Sequence, residues 1–232
     1  IYNGFSGCMM FSSCVLYLSM LFRMGYITTL LLISVSFSAA ALNNRPNALF
    51  GYKESHRSDL NLFPQWLSVL EQHMKEMVPE GQCDARVFNR CHLRECLSFL
   101  QSISQLSADE KIRKVNNYAN NKEYILDIEN YGLDDYWATP KQFLINNGDC
   151  EDYAIIKMMS FKQLGFDVNK MRVVVVQDTN QKTVHAVMSI DMHGDILILD
   201  NQIQEVISHR EIFHYVPVYS VNENSWWMHL PD

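Results

Sequence analysis

The chain has 232 residues, of which 48% are hydrophobic and 19% are charged, and its formal net charge is -7. This length allows one packed domain of about 150–200 residues with an additional segment, and the composition argues against a chain that is disordered throughout. The negative charge gives no support to nucleic-acid binding, which needs a clustered basic surface. The short basic run 111–114 follows Asp109 and Glu110 and is interpreted as a solvated helix face.

The N-terminal segment has the pattern of a secretory signal. Read from Met20, a short basic start is followed by the apolar run 27–37 and by small residues that end at Ala41. The apolar run is shorter than the roughly 20 residues of a membrane-spanning helix, so cleavage near Ala41 is favoured over an uncleaved membrane anchor. Residues 1–19 do not fit the signal pattern and are interpreted as upstream translation or as part of a longer anchor. The expected division of the chain is a signal peptide or N-terminal anchor over residues 1–41, a linker over 42–60 and a folded domain over 61–232.

Cleavage at that point would leave four cysteines, Cys83, Cys91, Cys96 and Cys150. Thiols that are close in space tend to pair in an oxidising compartment. Cys91 and Cys96 would lie about 140° apart on a helix, which places them poorly for a mutual bond. We therefore expect Cys83 to pair with one of them. A metal cluster of these cysteines with His92 is the alternative, although the spacing matches no standard zinc pattern.

Helical patterns dominate the first half of the predicted domain. Apolar residues recur at a helical period over 61–78 and again over 88–106. Residues 107–110 form a capping box that opens a third helix. Thr139-Pro140 can start a further short helix over residues 141–145.

The second half of the domain combines one buried helix with β-strands. Residues 150–164 form a mainly apolar helix. Residues 171–177 are continuously apolar and β-branched, which is typical of a central strand. The strands 184–191 and 195–199 are separated by a short turn, which predicts a hairpin. Helices that are followed by an antiparallel sheet make an α+β architecture.

The stretch around Cys150 is the candidate functional site. Cys150 follows Gly148 closely and begins a predicted helix, where the backbone N–H groups and the helix dipole stabilise a thiolate and can bind an oxyanion. Its neighbours Asp149, Glu151 and Asp152 are negative and would raise the pKa of the thiol. The cysteine is therefore either inert or accompanied by a positive charge, which an imidazolium or a bound cation would supply.

His185 and Asp200, on the two strands of the predicted hairpin, are the candidate partners of Cys150. They face the same side of the sheet only if the turn between the strands has an even number of residues. A turn at residues 193–194 would put Asp200 diagonal to His185, within side-chain reach, and a turn at 192–193 would put it directly opposite. Taken alone, a cysteine, a histidine and an aspartate in this pattern are more often structural than catalytic.

Several strings, taken together, resemble a known family, the bacterial transglutaminase-like cysteine proteinases, which are LapG-type periplasmic proteases. The resemblance extends from about Leu62 to Phe213. It implies a papain-like transglutaminase core, which is an α+β fold, and it strengthens the catalytic interpretation. The strings that carry it are DYWATP at 135–140, GDCEDYA at 148–154, MRVVV at 171–175, HAV at 185–187 and LDN at 199–201.

The resemblance implies a role for each candidate catalytic residue. Cys150 would be the nucleophile, His185 the general base and then the general acid, and Asp200 the residue that orients the imidazole. Two rival interpretations stay open. One is an acyl or amide transferase with the same three residues, because thioester chemistry does not decide whether water or an amine arrives second. The other is a non-catalytic calcium-binding interaction module on the same scaffold.

The resemblance also implies a calcium ion, with Asp149, Glu151 and Asp152 as ligands. Hard carboxylate oxygens suit Ca²⁺, and the ion would offset the negative charge around the thiol. The implied setting is the periplasm, with a membrane-anchored form as the alternative. The implied partners are a large cell-surface biofilm adhesin, cut in its N-terminal region, and an inner-membrane cyclic di-GMP receptor that inhibits the protease.

Two features depart from the family pattern. Asn146-Asn147 precede Gly148 where a more glycine-rich turn is expected, and Gln142 stands where an acid is more usual. Both departures concern the geometry of the turn before Cys150, and they leave the three candidate catalytic residues intact.

Overall fold

The computed structural model describes residues 48–77 and 91–231, which form one antiparallel sheet packed against helices. This arrangement confirms the predicted α+β class. The helices are α1 (Pro64–Glu76), α2 (His92–Ile103), α3 (Ala108–Asn120), α4 (Asp127–Asn130), α5 (Pro140–Asn146) and α6 (Cys150–Gln163). The strands are β1 (Lys53–Arg57), β2 (Met171–Asp178), β3 (Thr183–Met192), β4 (Asp195–Leu199), β5 (Ile207–Ser208), β6 (Tyr215–Val221) and β7 (Trp226–Leu230).

The order of strands in the sheet is β1-β7-β6-β2-β3-β4-β5. β2 lies in the middle, so the continuous apolar run at 171–177 is a central strand, as predicted. Alternate residues of β2 point into two different cores. Val173 and Val175 contact the core that includes the helices, whereas Val174 and Val176 belong to a smaller core on the other face.

Local hydrogen bonds start two of the helices where the sequence predicts. Ser107 and Glu110 form a reciprocal capping box at the start of α3. Thr139 Oγ1 accepts from the backbone N–H of Gln142 at 3.2 Å, and Gln142 Oε1 accepts from the N–H of Thr139 at 2.9 Å. Gln142, which departs from the family pattern, therefore completes the capping box of α5.

The interval predicted as a linker, 42–60, contains ordered structure that belongs to the folded domain. Leu49 is buried in the smaller core. Residues 53–57 form β1, which pairs with β7 at the edge of the sheet. The sequence of this strand, KESHR, has no apolar run, because an edge strand with largely exposed side chains needs none. Hydrophobic periodicity therefore gave no signal for it.

The cysteines fall into two groups. Cys91 is disulfide-bonded, whereas Cys96 and Cys150 carry free thiols. A disulfide-bonded Cys91 cannot act as a zinc ligand, so the alternative of a metal cluster is wrong. The predicted pairing involves Cys83, which lies outside the described residues, and so do the predicted signal and its cleavage point. No helix within the described ranges is long and apolar enough to cross a membrane.

Candidate active site

Cys150 is the first residue of α6, a helix whose residues from Glu151 to Phe161 are all buried. The thiol donates a hydrogen bond to Glu151 Oε2 at 3.4 Å and accepts one from the backbone N–H of Ala186 in β3. The sulfur thus lies between the acidic turn and the strand that carries His185. α6 is packed on both β2 and β3, so the position of its first turn is set by the core.

The thiol of Cys150 has a strongly perturbed pKa. Burial raises the pKa well above its ordinary value, and the nearby carboxylates of Glu151 and Asp149 raise it further. The hydrogen bond from Ala186 acts in the opposite direction but is outweighed. The sequence predicts that the acidic neighbours of Cys150 raise the pKa of its thiol, and the structure agrees with this prediction. A thiolate at this position therefore needs additional positive charge.

His185 and Asp200 are joined by a hydrogen bond of 2.9 Å between Nε2 and Oδ1, and both side chains are almost fully buried. Met188 pairs with Leu199, and His193-Gly194 forms the two-residue turn with positive φ at both positions. The first of the two registers considered from the sequence is therefore confirmed. Asp200 directly follows β4 and reaches His185 diagonally across the hairpin.

The Asp200 carboxylate is surrounded by hydrogen-bond donors. Its Oδ2 accepts from the hydroxyl of Tyr215 at 2.6 Å, and its Oδ1 also accepts from the backbone N–H of Gln202 at 2.9 Å. Burial alone would raise the pKa of Asp200, but the bonds from His185, Tyr215 and Gln202 bring it below its ordinary value. Since the ionised carboxylate accepts from Nε2, the other ring nitrogen of His185, Nδ1, is left as an acceptor. Tyr215 was not identified from the sequence.

Four carboxylates form a compact cluster on the other side of the thiol. Each of Asp127, Asp149, Glu151 and Asp152 contributes an oxygen, and these atoms lie within 4.8 Å of one another. Three of the residues belong to the turn around Cys150 and were predicted as metal ligands. Asp127 is contributed by α4 and was missed, because only the tertiary fold brings that short helix next to the turn.

The chemistry of this cluster fits a hard cation. Buried oxygens of Asp127, Asp149 and Glu151 have no hydrogen-bond partner within the described part of the chain. Burial, together with the neighbouring carboxylates, raises the pKa of Asp127 to about 6 and that of Glu151 to about 11. Carboxylates that are so close cannot all be ionised without a counter-charge, and several oxygens at this spacing suit Ca²⁺.

The turn before Cys150 has an unusual backbone. Asn147 adopts φ 63° and ψ -160°, a region that is almost restricted to glycine. A Cβ on Gly148 would lie 2.1 Å from Asp152 Oδ2, so this position has no space for a side chain. Asp152 Oδ1 in turn accepts from the N–H of Ala138 at 2.7 Å, which ties the turn to the DYWATP string. The chain therefore builds the expected tight turn with asparagine at the position of positive φ.

Comparison with known proteins gives an independent view of this arrangement. A comparison with curated proteins found no match. Among solved structures, LapG of Legionella pneumophila is similar, with a TM-score of 0.55 and 24% identity over 69% of this chain and 87% of that chain. Its calcium-bound form has the same score and identity over 70% and 86% of the two chains. At 24% identity, the structural similarity to LapG shows the fold of this chain. The model of the bacterial transglutaminase-like cysteine proteinase (BTLCP) family matches residues 82–232, and the chain therefore belongs to that family.

Proposed function

We propose that this chain is a periplasmic, calcium-dependent cysteine endopeptidase with Cys150, His185 and Asp200 as its catalytic residues. The observation that carries the proposal is the buried hydrogen bond between His185 and Asp200. The Cys150 thiol is hydrogen-bonded to Ala186 of β3, the strand that also carries His185. Membership of a cysteine proteinase family supports it.

The three residues have complementary roles in the proposed mechanism. Cys150 gives its proton to Nδ1 of His185 and attacks the carbonyl carbon of the scissile peptide bond. The oxyanion that forms is stabilised by backbone N–H groups at the start of α6. The imidazolium then donates its proton to the leaving amine, and a water molecule activated by His185 hydrolyses the thioester. Asp200 holds Nε2–H of His185 and stabilises the imidazolium throughout.

The acidic cluster would hold the calcium ion through Asp127, Asp149, Glu151 and Asp152. When bound, the ion supplies positive charge that offsets these carboxylates and so favours ionisation of the neighbouring thiol. The oxygens that lack donors in the cluster support this assignment. A calcium-bound structure of Legionella LapG supports the choice of ion.

The proposed substrate is the N-terminal region of a large cell-surface biofilm adhesin, and the proposed inhibitor is an inner-membrane receptor for cyclic di-GMP. Both are supported by the GDCEDYA, HAV and LDN strings that resemble the family. The proposed periplasmic location is supported by the secretory pattern that ends at Ala41.

The proposal is tested by incubating an adhesin N-terminal fragment with wild type, Cys150→Ala and Glu151→Ala at a series of calcium concentrations. Wild type should cut the fragment, Cys150→Ala should not, and Glu151→Ala should need more calcium. Cys96→Ala is the matched control, because Cys96 is a free cysteine buried away from the turn. Equal cleavage by Cys150→Ala and wild type would overturn the proposal.

Product masses separate hydrolysis from transfer. A peptidase adds water across the cut bond, whereas an amide transferase leaves an adduct when an amine is supplied. Labelling by iodoacetamide, with and without EGTA, addresses the non-catalytic alternative. A Cys150 that stays unlabelled in both conditions would favour an inert binding module.

A further inference from the structure

Both ring nitrogens of His185 have a hydrogen-bond partner. Nε2 is bonded to Asp200 Oδ1 at 2.9 Å, and Nδ1 lies 3.5 Å from Nε2 of the Gln202 side chain. Because the ring proton is on Nε2, Nδ1 is an acceptor and the Gln202 carboxamide is its donor. The nitrogen that must receive the proton of Cys150 is therefore already occupied by an amide group of the same chain.

The orientation of the Gln202 carboxamide is set by a second glutamine. Gln202 Oε1 accepts from Nε2 of Gln181 at 2.6 Å, so the amino end of the Gln202 side chain is the end that faces the imidazole. Gln181 lies in the turn between β2 and β3, where its backbone N–H donates to the buried Asp178 at 3.0 Å. We call Gln181 and Gln202 the glutamine pair. The pair joins the β2–β3 turn to the loop after β4 beside His185.

Gln202 also contacts the carboxylate that orients the imidazole. Its backbone N–H donates to Asp200 Oδ1 at 2.9 Å, while its side chain extends to Nδ1 of His185. Gln202 therefore contacts one ring nitrogen directly and acts on the other through Asp200. Truncation of the side chain removes the first contact and leaves the backbone bond in place, so mutation can separate the two.

The contact at Nδ1 conflicts with the proton transfers that the proposed mechanism needs. The Cys150 thiol donates to Glu151 Oε2 at 3.4 Å, and it must donate to Nδ1 before it attacks. Once Nδ1 carries the proton it is itself a donor and can no longer accept from Gln202. The leaving amine must then approach Nδ1 to within about 3 Å to take this proton. Gln202 Nε2 lies in that position, so the carboxamide has to move away when the substrate binds.

The glutamine pair is placed where such a movement is possible. Gln181 and Gln202 are both exposed, and 3.5 Å is long for a hydrogen bond. A bond between exposed neutral groups contributes little to stability, because water can replace either partner. The contact at Nδ1 can therefore be broken by a peptide that brings its own amide nitrogen to His185.

We propose that Gln202 is a positioning residue that covers Nδ1 of His185 in the free enzyme and is displaced by the leaving side of the scissile peptide bond. Gln181 holds the carboxamide in the covering position. The free enzyme is thus divided between a covered and an open state, and only the open state binds the substrate productively. Because this role rests on the proposed function, one of its tests uses a reaction of Cys150 that needs no substrate.

The first test is steady-state cleavage of the adhesin fragment by Gln202→Ala at saturating calcium. Loss of the covered state raises the fraction of enzyme that binds the substrate, so KM should fall about threefold while kcat stays within about 1.5-fold of wild type. A residue that stabilised the transition state would instead show a lower kcat when substituted. Gln204→Ala is the matched control and should change neither constant. Gln204 is an exposed glutamine of the same loop, and its side chain donates to Asn117 on α3 at 2.9 Å.

The second test is the rate at which iodoacetamide alkylates Cys150 in the calcium-loaded full chain, followed by peptide mass mapping. The thiol proton passes to His185 and the thiolate displaces iodide, so the rate reports how accessible Nδ1 is to the thiol. We expect Gln202→Ala to react about threefold faster than wild type and Gln204→Ala at the wild-type rate. Gln181→Ala should give a smaller increase. It should add nothing in the Gln202→Ala background, because both residues act on the same nitrogen.

A spectroscopic readout separates this role from a merely structural one. In protein labelled with ¹⁵N at histidine, the Nδ1 signal of His185 should shift in Gln202→Ala, because its donor has been removed. The Nε2 signal should stay in place, since the backbone N–H of residue 202 still donates to Asp200. A structural role of the side chain would disturb both signals and lower the melting temperature.

The outcomes that overturn the two proposals differ. An unchanged or raised KM in Gln202→Ala, alkylation of this variant at the wild-type rate, or an unshifted Nδ1 signal would refute the role of Gln202. Alkylation and the Nδ1 signal decide this role even if the wild type does not cut the fragment. Cleavage of the fragment by Cys150→Ala would refute the proposed function, and that result is obtained without any change at Gln202.

Discussion

On one side of the Cys150 thiol, the Asp200 carboxylate accepts hydrogen bonds from several donors. On the other side, four carboxylates lie close to one another. Asp200 accepts hydrogen bonds from His185 and Tyr215, and its pKa is lowered. Asp127 and Glu151 retain oxygens without donors in the described structure, and their pKa values are raised. The proposed orienting half of the site therefore has its hydrogen-bond donors among the described residues, whereas under the proposed function the acidic half would need an added cation to favour the thiolate.

The largest expected effect is on the orienting half. Asp200→Asn keeps the shape of the side chain but removes the charge that stabilises the imidazolium, so we expect kcat on the adhesin fragment to fall about 10³-fold to 10⁴-fold. Asp178→Asn is the control, because Asp178 is a buried aspartate of β2 that accepts from backbone N–H groups of its own turn. Comparable losses in the two variants would show that Asp200 has no special relation to His185.

Glu151→Gln is the corresponding change in the acidic half. It removes one ligand charge, so calcium affinity, measured by titration calorimetry, should fall and activity at limiting calcium should drop about 100-fold. Excess calcium should restore much of the loss, which it cannot do for Asp200→Asn. Glu129→Gln, an exposed acid on α4, should leave both quantities unchanged. Normal calcium binding by Glu151→Gln would remove Glu151 from the ligand set.

Tyr215→Phe tests a smaller contribution to the orienting half. The change deletes the hydroxyl that donates to Asp200 Oδ2 at 2.6 Å. We expect kcat to fall about fivefold and the free energy of unfolding to fall by about 1 kcal/mol. Tyr219→Phe in the same strand is the control, and denaturant unfolding with steady-state kinetics measures both variants. An unchanged kcat in Tyr215→Phe would mean that His185 and Gln202 are sufficient to hold the carboxylate.

The smallest expected effect is a pH dependence of opposite sign in the two halves. In EGTA, Asp127 has a folded-state pKa of about 6, above its ordinary value of 3.8, so the folded state binds the extra proton. The free energy of unfolding should therefore decrease as pH rises from about 4 to about 6, by an amount visible as a few degrees in melting temperature. Asp127→Asn should reduce this slope without removing it, because the raised pKa values of Glu151 and Asp152 act in the same direction, and calcium should abolish it. Asp200 contributes in the other direction, since its lowered pKa makes its contribution disappear on acidification.

Much of the fold could be predicted because it is encoded locally. The capping boxes at Ser107 and Thr139 mark the starts of two helices through side chains that are three residues apart. Both registers predicted for the β3–β4 hairpin put Asp200 within reach of His185, and the two-residue turn at His193-Gly194 selects the diagonal one. Capping boxes and short turns can be recognised in a single sequence because they involve neighbouring residues.

The contacts that the sequence did not reveal come from distant segments. Asp127 joins the acidic cluster from a four-residue helix, and Tyr215 reaches Asp200 from β6, on the far side of β2. Neither residue stands in a motif, and an aspartate in a first helical turn has an ordinary local explanation in the helix dipole. Lys157 lies inside the helix that the apolar pattern predicts. Periodicity therefore identifies its helix but gives no indication that a lysine in that helix is fully buried.

The turn at Asn147 and Gly148 has a consequence for mutational libraries. The backbone at Asn147 favours glycine, so a library randomised at this position should enrich Asn147→Gly when it is selected for folded protein. Gly148 is restricted for a different reason, since even a methyl group would collide with Asp152 Oδ2, and the library should return glycine there almost without exception. Two neighbouring positions would thus converge on the same amino acid for unrelated reasons, one conformational and one steric.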